Sequence, residues 1–104
     1  MRPIPPDRRA RLAADPRYKY CSIPDEYCET GKIDWHHVWI YAGSQIDEDW
    51  AILSACQYHH RFANRPDIQR RFQRESLSRA TDADLEKYPR KDWAQIKRYL
   101  FQTP

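Results

Sequence analysis

All four histidines of this 104-residue chain, and one of its three cysteines, fall within residues 35–64. The stretch opens with Trp35-His36-His37-Val38 and closes with Cys56-Gln57-Tyr58-His59-His60 and, a little further on, Asn64. Imidazoles and thiolates so concentrated point to metal binding or proton transfer, because both ligate zinc and histidine changes charge near neutral pH. A chain of this length buries a limited fraction of its surface, so a metal staple would do much for its stability. Composition adds to that expectation: eight prolines, two glycines and 32% charged residues leave a core of Trp, Tyr and Phe rather than long aliphatic runs.

Three cysteines is an odd number, and no basic-then-apolar leader precedes them, so a secreted disulfide framework is not expected. No apolar stretch approaches the roughly 18 residues a membrane span needs, which predicts a soluble, cytoplasmic protein with no membrane partner. The net charge of +3 says less than its distribution. Arg61, Arg65, Arg70, Arg71 and Arg74 stand against the single acid Asp67, while Asp47, Glu48 and Asp49 cluster elsewhere.

Along the chain, residues 1–19 form a basic arm with Arg2, Arg8, Arg9, Arg11, Arg17 and Lys19. After Pro3, Pro5 and Pro6 it allows a short helical turn from Asp7 to Ala14, and it is either a solvated terminus or a phosphate-contacting arm. Residues 20–34 carry Cys21, Pro24, Cys28 and Gly31 and read as a knuckle. Residues 35–41 are rich in aromatic and β-branched types and predict a strand; Ala42-Gly43-Ser44 breaks it, and an acidic loop leads to a second strand over 50–54, giving an antiparallel hairpin. Helices are predicted over 57–65, limited by Pro66, and over 67–80, with Ile68 and Phe72 on one side. Thr81-Asp82-Ala83-Asp84 has the capping-box pattern for a short helix ending before Pro89, and 92–102 places Trp93, Ile96 and Leu100 on one face.

Thiolates favour zinc, and a structural zinc takes four protein ligands. Cys21 and Cys28, with six residues between them, would supply two. Cys56 and His59, three apart at the start of a helix, would supply the others; His60 then points about 100° away, toward the face it shares with Asn64. The competing reading is three buried free cysteines. His60 and Asn64 would belong to a second site, for which His36 and His37 are the remaining histidine partners. Adjacent strand residues point to opposite faces, so one would bind a divalent ion while the other stays uncoordinated as general base. Such a pair suits phosphodiester hydrolysis. The competing reading here is a single distorted zinc site with surplus histidines.

Over residues 21–65 the chain resembles the HNH endonucleases, whose core is a β-hairpin and helix gripping one divalent metal, and in particular the small phage-type members with zinc-knuckle cysteines. His36-His37-Val38 matches the opening Asp/His-His-Ile/Val, and Cys56-Gln57-Tyr58-His59-His60 matches the closing Cys-x-x-Cys-His with His59 in place of the second cysteine. The resemblance implies His36, His60 and Asn64 as ligands of a catalytic Mg2+ or Mn2+, and His37 as general base. The family's middle asparagine, which holds that base in orientation, would fall at Ala51, and Asp47 or Asp49 could substitute.

The whole reading is one small α+β domain over 1–104: the basic arm at 1–19, a zinc-stapled ββα-metal core at 20–65 and C-terminal helices at 66–104. The expected function is a metal-dependent DNA endonuclease of phage or prophage origin, meeting the phosphate backbone through Arg61, Arg65, Arg70, Arg71 and Arg74. The alternatives are an inactive zinc-stabilised module that binds nucleic acid or protein on the same scaffold, and a phage adaptor or inhibitor.

Overall fold

The computed structural model describes residues 4–41 and 44–102. Arg2 and Pro3 of the expected arm, and the expected break at Ala42-Gly43, lie outside the described residues. The architecture is α+β: a two-stranded antiparallel sheet in the middle, one short helix on one face and the later helices on the other.

Helix α1 (Pro6–Ala13) starts with proline at its first position and Asp7 in its first turn, both suited to exposed N-terminal amides. A single 3-10 turn, Pro16–Lys19, follows and is capped by Asp15, whose side chain accepts from the Arg17 backbone N–H. The arm is tied down rather than loose. Leu12 and Tyr18 are buried with Ile52, and the Tyr18 hydroxyl donates to the Ile52 carbonyl at 2.5 Å. Arg8 pairs with Asp47, and Arg11 makes two 2.9 Å bonds to the Asp49 carboxylate.

Strand β1 (Asp34–His37) does not run on to residue 41 as its composition suggests. Val38 and Trp39 are both buried, whereas a pleated strand turns successive side chains to opposite faces, so the chain leaves the strand to bury both. It resumes as β2 (Ile40–Tyr41), paired with β3 (Ser44–Gln45). The anchor is specific: Trp39 Nε1 donates to Ser76 Oγ at 2.9 Å, and that hydroxyl donates to the Trp50 carbonyl at 2.7 Å.

The expected second strand also starts later, because Asp49–Ala51 forms a 3-10 turn before β4 (Ile52–Ala55). β1 and β4 pair antiparallel with Trp35 opposite Ser54 and His36 opposite Leu53. Every residue of β4 is buried. Ile52 packs toward the N-terminal arm and Leu53 into the main core, so the hairpin is covered on both faces.

Helix α2 (Gln57–Arg61) is shorter than predicted. Pro66 disfavours helical geometry at the residue before it, and Arg65 is extended at φ −66°, ψ 135°; residues 62–65 are the turn that reaches it. Helix α3 (Pro66–Arg79) then buries Ile68, Phe72, Ser76 and Leu77 along one side. Helix α4 (Asp82–Glu86) carries the predicted capping box between Thr81 and Asp84. Helix α5 (Trp93–Leu100) packs Trp93 edge-on to Trp39 and Trp50 and buries Leu100. No helix among the described residues is long and apolar enough to cross a membrane.

Candidate metal centre

Three separate pieces of chain deliver the four ligands expected for zinc. Cys21 follows the extended Tyr20 that ends the arm's 3-10 turn. Cys28 sits in a turn whose backbone N–H donates to the Asp25 carbonyl at 3.2 Å. Cys56 is the N-cap of α2, its sulfur accepting from the His59 backbone N–H, and so the cap and the i, i+3 ligand pair are one local structure.

The Nδ1 atom of His59 lies 3.1 Å from Cys56 Sγ, 3.3 Å from Cys21 Sγ and 3.6 Å from Cys28 Sγ. All four ligand atoms fall within 4.8 Å of one another. Ligands about 2.0–2.3 Å from a tetrahedral zinc are about 3.5 Å apart, so the donor set and its spacing fit a closed Cys3His structural site. Zinc held there would cross-link both ends of the knuckle to the hairpin-helix unit.

Asp25 and Arg71 complete this centre. With Nδ1 turned to the sulfurs, His59 carries its proton on Nε2 and donates it to Asp25 Oδ2 at 3.0 Å. Arg71, reaching across from α3, donates to the same oxygen at 2.6 Å and to the Ile23 carbonyl at 2.9 Å. A carboxylate behind a metal-binding histidine fixes its tautomer and strengthens it as a donor. Burial pushes the Asp25 carboxyl up, but the bonds from Arg71, the Tyr27 backbone and His59 prevail and hold it down at about 2. Burial pushes the Cys21 thiol up to about 12. It acts the same way on Cys56, where donors from the His59 and Glu29 backbone outweigh it and lower the thiol to about 7. Cys56 is therefore readier than Cys21 to meet a cation as thiolate.

His36 and His37 occupy opposite faces of β1, as strand alternation requires, and His60 lies on α2. His36 shares its face with Asp34. Its ring packs 4.8 Å from the Phe72 ring and meets the His60 ring edge-on at 5.5 Å. Burial, with the nearby His60 and His37, lowers the His36 pKa to about 4, leaving a neutral imidazole at neutral pH. His60 Nδ1 lies 3.3 Å from Asp34 Oδ2. His37 faces the arm, buried, its Nε2 without a hydrogen-bond partner among the described residues. Burial lowers its pKa, partly countered by the Asp47 carboxylate and reinforced by Arg8.

Asn64 is exposed in the turn after α2 rather than on the helix, so it does not extend the helical face that carries His60. Asp34, His36 and His60 are arranged more loosely than the thiolate group, which is the one set of three or more His, Cys, Asp or Glu ligand atoms within 4.8 Å among the described residues. Ala51 is fully buried, and its carbonyl accepts from the Val38 N–H at 3.0 Å.

The five arginines expected to meet phosphate divide into two groups. Arg71 belongs to the metal centre, and Arg74 Nε donates to the Leu100 carbonyl at the end of α5 at 2.7 Å, so both hold the fold together. Arg70 reaches the Tyr99 hydroxyl at 3.4 Å. Arg61 and Arg65 are more than half exposed, in surface pairs with Glu29 and Asp67.

The four side chains that the sequence assigns to zinc are brought close enough to hold a metal ion, whereas Asp25 went unnoticed, although a carboxylate between two cysteines was a usable signal. The site defines the class: a small α+β domain with a Cys3His centre beside a histidine-bearing hairpin and helix. Comparisons with protein-family models, curated proteins and solved structures returned no match.

Proposed function

We propose that this chain is a metal-dependent DNA endonuclease of the HNH type. The observation that carries the reading is the placement of His36 on β1 against His60 on α2, within a hairpin-helix unit adjoining a thiolate-rich centre. His36 and His60 contribute imidazoles to a divalent ion, Mg2+ or Mn2+, and the third protein ligand is an oxygen donor, Asn64 in the family pattern. That ion, when bound, supplies charge stabilisation to the phosphate and the leaving oxygen. His37, kept neutral by burial, takes the proton of the attacking water. Asp47, whose charge acts on His37, serves as the orienting carboxylate in place of the missing asparagine. Arg61 and Arg65, exposed close in sequence to His60, contact the DNA backbone and confer little sequence preference.

A second reading has its own support. The buried Ala51 and the buried, unpartnered Nε2 of His37 suit a non-catalytic, zinc-stabilised module that binds nucleic acid or a protein partner on the same scaffold, as a phage adaptor or inhibitor would. Incubation of zinc-loaded protein with supercoiled plasmid and Mg2+ or Mn2+, beside His37→Ala, separates the two. Nicking that the variant loses supports the endonuclease. No nicking with either metal sinks it in favour of the binding module, and equal nicking by the variant removes His37 from the chemistry.

A further inference from the structure

We infer that Asp34, and not Asn64, is the oxygen donor that completes the divalent-ion site with His36 and His60. The inference rests on the metal site proposed above and specifies its ligands.

Asp34 and His36 are two residues apart on β1, so their side chains leave the same face of the sheet. That face meets α2, where His60 stands in the last turn, its Nδ1 3.3 Å from Asp34 Oδ2. Two neighbouring ligand atoms about 2.1 Å from one octahedral cation are about 3 Å apart, so this pair already has the spacing of adjacent ligands. The other partners of the Asp34 carboxylate are distant, Gln57 Nε2 and Lys32 Nζ each at 3.5 Å, and leave it available to a cation.

Charge favours the same choice. Two neutral imidazoles and an amide bring no negative charge to a hard divalent ion, whereas Mg2+ and Mn2+ sites rely on carboxylates. Two histidines and one carboxylate would hold a divalent ion and leave it open to water and a phosphate oxygen, as a hydrolytic metal requires. His36 is held in place by Phe72, and His60, at 41% side-chain exposure, is the member free to turn toward the ion. Asn64 has neither the charge nor a position on the face shared by the other two.

The test is Mn2+ binding to the zinc-loaded full chain, read from the electron paramagnetic resonance signal of free Mn2+, with zinc content and melting checked for every variant. Asp34→Asn, which removes a directly bound carboxylate, is expected to weaken Mn2+ binding more than the about 10–100-fold that loss of an outer partner costs. Asp34→Glu, which retains the carboxylate, should recover most of it, and Asn64→Ala should change it less than about threefold. The assignment is overturned by a tenfold loss in Asn64→Ala with none in Asp34→Asn, or by a wild-type chain that binds no Mn2+ at millimolar concentration. Binding that depends on Asp34 in a protein that nicks no plasmid supports the ligand set and refutes only the endonuclease.

Discussion

The Asp25→Asn substitution tests the layer behind the thiolate centre. The variant keeps the shape of the side chain and removes its charge, so His59 loses a carboxylate acceptor for Nε2–H and Arg71 loses its ion pair. Removing such an outer partner typically costs about 10–100-fold in metal affinity. At tenfold per about 1.4 kcal/mol this is about 1.4–2.8 kcal/mol. Zinc held by Cys21, Cys28, Cys56 and His59 would bind the folded chain and not the unfolded one, so the same free energy would be withdrawn from folding when zinc is in excess. For a domain of about 100 residues, each kcal/mol moves the melting temperature by about 4–8 °C, which predicts a fall of about 6–20 °C. Chelator competition gives the affinity and calorimetry the melting temperature. Arg71→Met should lower both, and in the double variant the two effects should be less than additive, since both substitutions act on one oxygen. Zinc affinity within about threefold of wild type in Asp25→Asn would refute the role given to this carboxylate.

Phe72→Ala removes a fully buried ring at the centre of α3 and should cost about 3–5 kcal/mol in urea unfolding; a cost below about 1 kcal/mol would mean that the core is not built around it. Ser76→Ala leaves the buried Trp39 Nε1 without its acceptor and should cost about 1–3 kcal/mol, with a change in tryptophan fluorescence as a second reading. The Asp49 carboxyl lies below its usual range because Arg11 hydrogen-bonds and pairs with it. Its contribution is therefore present above the unfolded carboxylate pKa of about 3.9 and lost as pH falls through the lower folded value. Asp49→Asn should be destabilised relative to wild type by no more than about 1 kcal/mol at pH 7, with the difference vanishing toward pH 2 in chemical unfolding.

What was legible in the sequence was what short-range geometry governs. Cys56 and His59 could be paired because three residues is nearly one helical turn, and Thr81 with Asp84 announced a helix start for the same reason. The order of knuckle, hairpin and helix also followed from local composition. Illegible were contacts between residues far apart in the chain. Nothing near Arg71 marks it as a partner of Asp25, 46 positions away, and its neighbours made it look like one more phosphate-seeking arginine. Arg8 and Arg11 likewise read as a free basic arm until Asp47 and Asp49 are brought against them. The break in the first strand was hidden for a related reason, since residues 35–41 have strand composition throughout and only the position of Ser76 shows why the chain turns at Trp39.

Five residues are too few for a helix to persist by itself in water, and α2 has five. Its first turn is held by the sulfur of Cys56, and its two adjacent histidines have different partners, His59 the sulfurs and Asp25, His60 Asp34. If zinc fills the thiolate centre, its loading would be coupled to the geometry of the neighbouring histidines: removing it would loosen the turn that places His60 beside Asp34 and His36. The supply of a soft, tightly held metal would then govern the response to a hard, exchangeable one. Titrating Mn2+ into protein of graded zinc content would expose that hierarchy between the two ions.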